Sequence, residues 1–299
     1  MSNRFTTLTV LLALTVCPSL SLAAERRAAS SYATTQLGLR GNPTGLRLSN
    51  TAAWRMPLAS DDGVLWKTTY LELGGGLMIT PVSLFPSVHV ELVPIAPLVV
   101  RLQSTQVTYL GVLGHALTFT QDQIDAGRSQ GEYWSPEAVE QMTGTKPGEW
   151  LTGWDHSLSG TLQLKFGAFI AKASMEYHWV DLELPTGDVR WYDSTLNLIM
   201  GAGERLRIAK GLVGYVASGA LNSERFILLG TSYEDQRTQA DDLSRQMLGL
   251  MTVWRPGWMP KQQLTMGVIG QYYIDDAADH RTGQVMTIAF TQLRFGANP

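Results

Sequence analysis

The chain's five histidines, His89, His115, His156, His178 and His280, are its obvious candidates for metal or acid–base chemistry. No two of them stand in an HxxxH or HExxH arrangement. The single cysteine, Cys17, sits near the N-terminus, so no zinc site is expected, nor any other metal or cofactor. For nucleophilic chemistry the best partners of His178 are Ser157, Ser159 and Ser174, since a serine hydroxyl needs a neighbouring base. A two-residue turn at Gly167-Ala168 would set Ser157 opposite His178 and Ser159 opposite Glu176, with Asp155 placed to orient the imidazole. Neither serine lies in a GxSxG elbow. The spacing favours a hydrated polar wall, and no catalytic residue is assigned.

The segments that carry these residues alternate. In GLRLSNTAAWRM (45–56), Leu46, Leu48, Ala52, Trp54 and Met56 take one parity, and Arg47, Ser49, Thr51 and Arg55 the other. Period two is the signature of a strand with one apolar face. Segments 69–79, 157–167 and 263–273 repeat it. In SVHVELVPIAPLVVRLQ (87–103) a loop at Ile95-Ala96-Pro97 would pair Glu91 with Arg101 and His89 with Gln103, leaving Val and Leu on the opposite face. The phase slips after Ser104, where Val107 and Tyr109 become the apolar pair; a bulge or the strand's end would explain it. Twelve strands are predicted: 31–40, 45–56, 66–79, 87–94, 98–109, 157–167, 169–181, 190–201, 205–217, 246–255, 263–274 and 284–295. About ten residues each suits a tilted strand that crosses a bilayer.

Residues 1–23 read as a secretory signal peptide, with an apolar LTVLLALTV core and Ser21-Leu22-Ala23 as the cleavage site. Residues 24–299 then form a single domain. Charged residues are only 16% of the chain, against about 25% in a typical soluble domain. The net charge of −3 and the lack of a basic patch exclude nucleic acid as a partner. No 18-residue apolar stretch lies beyond the signal, which excludes a helical inner-membrane protein.

With both termini inside, the long connections 110–156 and 218–245 both fall on the outer side. Trp54, Trp66, Trp254 and Trp258 lie near inner strand ends, and Trp154, Trp179 and Trp191 near outer ends. Long outer loops, short inner turns and two aromatic belts resemble bacterial outer-membrane β-barrels, in strand number the twelve-stranded group. That resemblance implies an all-β, transmembrane, antiparallel up-and-down barrel in the bacterial outer membrane. Its partners would be outer-membrane lipid, the barrel-assembly machinery and other envelope proteins. Such barrels usually end on an aromatic residue; here Gly-Ala-Asn-Pro follows Phe295.

Arg47, Arg55, Glu72, His89, Glu91, Arg101, Gln103, Lys172 and Glu176 would line the lumen. Gly74, Gly75 and Gly76 would mark a bend. SPEAVEQMTG (135–144) predicts a loop helix, with Pro136 at its first position. Asp122, Asp125, Glu132, Glu137, Glu140, Asp275, Asp276 and Asp279 would form an acidic outer rim able to gather cations. A narrow channel for small solutes or ions, constricted by loop 110–156, is the expected function. The alternatives are a structural subunit of an envelope machine and an outer-membrane lipid hydrolase.

Overall fold

Alternating side chains dictate strands, because only an extended backbone sends successive residues to opposite faces. The computed structural model describes residues 29–42, 44–59, 63, 65–66, 68–110, 118–129, 150–193, 196, 198–219, 225–239, 243–257, 263–276 and 281–296. Its strands are β1 (Ser30–Gly41), β2 (Gly45–Pro57), β3 (Tyr70–Thr80), β4 (Ser83–Ile95), β5 (Leu98–Tyr109), β6 (Thr118–Thr120), β7 (Leu151–Phe166), β8 (Phe169–Glu183), β9 (Asp188–Asp193), β10 (Leu198–Gly201), β11 (Arg205–Gly219), β12 (Phe226–Thr238), β13 (Ser244–Arg255), β14 (Thr265–Asp276) and β15 (Val285–Gly296). One helix, α1 (Gln121–Ser129), follows β6. Twelve strands close an antiparallel barrel in the order β1-β15-β14-β13-β12-β11-β8-β7-β5-β4-β3-β2. The remaining three, β6, β9 and β10, form a separate small sheet.

The barrel is apolar outside. Val88 is 64% exposed, Leu250 72% and Phe166 68%, in company with Leu37, Leu39, Leu102 and Val213. A water-soluble barrel would turn these side chains inward. This is the architecture of a transmembrane β-barrel. Among the described residues no helix is long and apolar enough to cross a membrane, and the crossing is made by strands.

The predicted register of the 87–103 hairpin holds: Glu91 pairs with Arg101 and His89 with Gln103. The irregularity lies between Leu92 and Ile95, at the turn, and none occurs at Ser104. The twelve-strand count holds, but one member differs. The predicted strand 190–201 is the β9–β10 hairpin, which is not part of the barrel wall. Its place is taken by β12, within the stretch read as outer loop 218–245. Ile227, Leu229 and Tyr233 alternate there as in any wall strand. The Glu234-Asp235-Gln236-Arg237 run obscures the pattern in sequence.

Gly74 has a packing role. It lies opposite His89, and a Cβ on Gly74 would stand 2.3 Å from the His89 ring. Glycine there makes room for a buried imidazole. Gly74→Val should destabilise the barrel by about 1–3 kcal/mol through overpacking. Urea titration of the folded protein in detergent would measure this, and the loss should shrink when the change is made in a His89→Ala background.

Candidate functional site

At the outer end of the barrel, the lumen-facing side chains of β4, β5, β7, β8 and β11 turn from polar to apolar. Phe85, Val107, Tyr109, Leu151, Val180, Leu182, Leu206 and Ile208 form a buried core with Trp191, Leu198 and Met200 of the β9–β10 hairpin. The slip at Val107 and Tyr109 is therefore a change of polarity at constant register. These residues keep lumenal parity and turn apolar because a plug fills the space they face. Tyr109 packs against Trp191 at a tilt of 55° with ring centroids 5.3 Å apart and meets Phe85 edge-on at 5.7 Å.

Two connections build the plug. From 110–150, β6 pairs with β9, and Phe119 and Ile124 are buried. Helix α1 opens with a reciprocal cap: Thr120 Oγ1 accepts from the Gln123 backbone N–H at 3.4 Å, while Gln123 Oε1 accepts from the Thr120 N–H at 2.8 Å. The connection 184–204 supplies β9 and β10, and the Thr118 hydroxyl donates to Asp188, joining the two.

The plug's other side is held by polar clamps. Arg245 on β13 and Asp276 on β14 form an ion pair at 3.2 Å, with each side chain 1% exposed. Arg245 Nη1 also donates to the Leu196 carbonyl of the plug at 2.9 Å. The buried Glu204 carboxylate accepts backbone N–H bonds from Gly201, Arg205 and Gln239, which ties the plug's exit to β11 and the end of β12. Burial lifts the Tyr192 phenol above its ordinary value, against the pull of Arg281 and Arg40, so it stays neutral in this cationic corner.

Below the plug the lumen is charged. His178 lies opposite Ser157, as predicted. Its Nδ1 is 3.0 Å from Asp155 and its Nε2 3.6 Å from Glu176, whose carboxylate accepts from Lys210 Nζ at 3.0 Å. The imidazole is therefore held between two carboxylates, with Glu176 and not Ser157 at its outer nitrogen. Nearer the inner end, Glu72 accepts from Arg55 at 2.8 Å and from Tyr32 at 2.9 Å, and lies 3.3 Å from His89. The Arg55 guanidinium sits 3.6 Å from the centre of the Tyr70 ring, and Arg294 lies 4.0 Å from that of Tyr32. Glu91 accepts from Tyr70 and pairs with Arg101, which donates to Gln103. Facing this polar wall across the lumen, Val216, Phe226, Leu228 and Val253 form an apolar one.

The predicted lumen residues Arg47, Arg55, Glu72, His89, Glu91, Arg101, Gln103, Lys172 and Glu176 all carry lumenal parity. The structure joins most of them into two networks and leaves Arg47 and Lys172 exposed. Of the acidic rim, Asp122, Asp125 and Asp275 are exposed, whereas Asp276 is buried against Arg245 and belongs to the clamp. Glu132, Glu137, Glu140, Asp279, Trp258, the 135–144 helix and the 1–23 signal lie outside the described residues. Trp54, Trp66, Trp154 and Trp179 are exposed, and Trp254 is half-buried with its pairing partner Ile227 on the outer face. Trp191 is no belt residue. It is 1% exposed in the plug, because the hairpin carrying it left the wall. Sequence reasoning looked to loop 110–156 for a constriction but missed the TQDQ cap at 120–123 and the part played by the β9–β10 hairpin, although the inward apolar parity of Leu206 and Ile208 marks the plug.

No protein-family model and no curated protein matches the chain. Among solved structures it is similar to the β domain of the Bordetella autotransporter Brka, at 12% identity over 90% of this chain and 99% of that one, with a TM-score of 0.43. It is also similar to the NanC porin, at 10% identity over 88% and 98%, with a TM-score of 0.37. A third is LpxR from Salmonella typhimurium, at 10% identity over 89% and 99%, with a TM-score of 0.38.

The clamp makes an energetic prediction. Asp276→Leu strands the Arg245 cation in a buried place and should cost about 3–5 kcal/mol in urea unfolding, most of it regained in Arg245→Met/Asp276→Leu.

Proposed function

We propose that the protein is a non-enzymatic barrel of the bacterial outer membrane, exported by its 1–23 signal, that acts as a narrow, gated channel for small solutes. The observation that supports this reading is a lumen with exposed polar side chains that is filled at its outer mouth by a plug separate from the barrel wall. Lumen-facing Gln163, Lys165 and Lys172 are exposed in the inner half, while Trp191, Phe119 and Met200 are almost wholly buried at the outer mouth. A wall strand cannot leave without opening the sheet. The plug hangs on two connections between wall strands, so it can shift while the ladder stays closed.

The charge balance argues for anions, against the cation preference that the outer rim suggested. Lumenal acids are largely spent in pairs, Glu72 with Arg55 and Glu176 with Lys210, and Asp276 of the supposed rim is buried with Arg245. Among the described residues, the exposed lumenal charges are Arg47, Lys165 and Lys172, all basic.

A hydrolase gains no support from the His178 cluster. Glu176 stands at Nε2, where a serine nucleophile would have to be, and the cluster faces the lumen beneath the plug, away from lipid.

Planar-bilayer recording tests the proposal. The intact protein should show rare openings, and a variant lacking residues 118–148 or carrying Trp191→Ala should open far more often. A salt gradient should give a reversal potential of anion sign. Silence from all three proteins, each folded by heat-dependent gel migration, would defeat the channel reading.

A further inference from the structure

Basic side chains interrupt the apolar exterior at one place among the described strands. Among the described strand residues, the only Lys or Arg side chains with outward parity are Arg205 and Arg207 on β11 and Arg237 on β12. Arg207 and Arg237 are paired directly opposite each other, a placement in which like charges repel. Asp235 stands between them, its Oδ2 3.1 Å from Arg237 Nε and 3.5 Å from Arg207 Nη2. One carboxylate between two guanidinium groups leaves a positive charge over. Arg207 Nε is buried and has no hydrogen-bond partner among the described residues. Arg205 adds a further cation in the same corner, beside Trp179, which in turn pairs with His156. Asp181 and Glu183 continue β8 beyond Trp179, farther toward the outer water. The cluster therefore lies at the level of the outer aromatic belt, where lipid headgroups sit.

A second feature lies on the same strands. Four residues along β11 from Arg207, about 13 Å deeper, Gly211 and its neighbours Ala171 and Ala173 leave the outer surface hollow. Leu164, Val213 and Tyr233 wall it, and the groove has a volume of about 410 Å³. Flat packing of lipid tails requires no such hollow. A cationic clamp above an apolar groove matches an amphiphile with an anionic head.

We propose that this face of β8, β11 and β12 is a specific site for one phosphate-bearing lipid of the outer leaflet. Its phosphate lies on Arg205, Arg207 and Arg237, and an acyl chain lies in the Gly211 groove. Guanidinium groups bind phosphate through paired, charge-assisted hydrogen bonds, and the Arg207 and Arg237 side chains are 39% and 44% exposed, open to such a ligand. The inference rests on the barrel's place in an outer membrane and not on its being a channel.

Native mass spectrometry of the full mature barrel in neutral detergent tests it, with a bis-phosphorylated acylated disaccharide lipid and its dephosphorylated form as probes. The protein should retain one phosphorylated lipid and release the dephosphorylated one. Arg207→Gln/Arg237→Gln should weaken retention about tenfold or more, the scale of a lost charged hydrogen bond. Gly211→Leu should weaken it several-fold by filling the groove; nothing lies within 4 Å of the added Cβ, so the variant folds without a clash. Equal retention of the two lipids, or retention unchanged in both variants, would overturn the site. Displacement of the bound lipid by inorganic phosphate at equal concentration would reduce it to an anion site and overturn the lipid assignment. Should the double arginine variant fail to fold, the two lipids on the unaltered protein and the Gly211→Leu variant decide the matter. A barrel silent in planar bilayers leaves each of these readings intact.

Discussion

Every structural choice in this molecule follows from the cost of an unpaired peptide group in hydrocarbon. Water is absent there, and each orphaned N–H or C=O costs several kcal/mol. A sheet meets the demand only by closing on itself. The seam is β1 against β15, paired from Tyr32 with Gly296 to Gly41 with Thr287. Asn42 guards the outer end of that seam, bonding to Val285 and Gln284 and receiving Arg281. The wall is thereby fixed, and variation is confined to what fills the lumen and what decorates the rim.

Twelve strands enclose more space than their own side chains can fill, yet less than an open porin. The protein fills it in two chemically different ways. Where charged groups occupy the lumen they are matched: Glu72 alone meets Arg55, Tyr32 and His89. Unmatched charge in a confined space would carry its full desolvation cost. At the outer mouth the same space is filled by an apolar core of the kind found in soluble domains, built from lumen-facing wall residues and the β9–β10 hairpin. The barrel is thus inside-out through most of its height and conventional at one end.

That division bears on function. An apolar contact between plug and wall is non-directional and tolerates sliding, whereas the Arg245–Asp276 pair and the Glu204 hub fix a particular seat. The proposed gate would draw on both: a surface that can part and a latch that defines the closed state. Outside the wall, the three outward arginines interrupt the apolar lipid face, and they do so above the Gly211 groove on the same strands.

Much of this was legible in the residues themselves. Period-two alternation is a local property, so it determined strand type, the inward parity of Glu72, His89 and Arg101, and the pairing of Glu91 with Arg101 across a short turn. It also determined the number of wall strands, although one was assigned to the wrong stretch. Tertiary structure alone decided that 190–201 leaves the wall, that 226–238 enters it, and that Trp191 and Asp276 are buried instead of lining a rim. The reason is physical. Alternation records only that one face is apolar, and an apolar face looks the same whether it meets lipid outside or a plug inside. What meets it is set by contacts between segments far apart in the chain, such as Tyr109 with Trp191 or Arg245 with Leu196, and no local pattern carries that information.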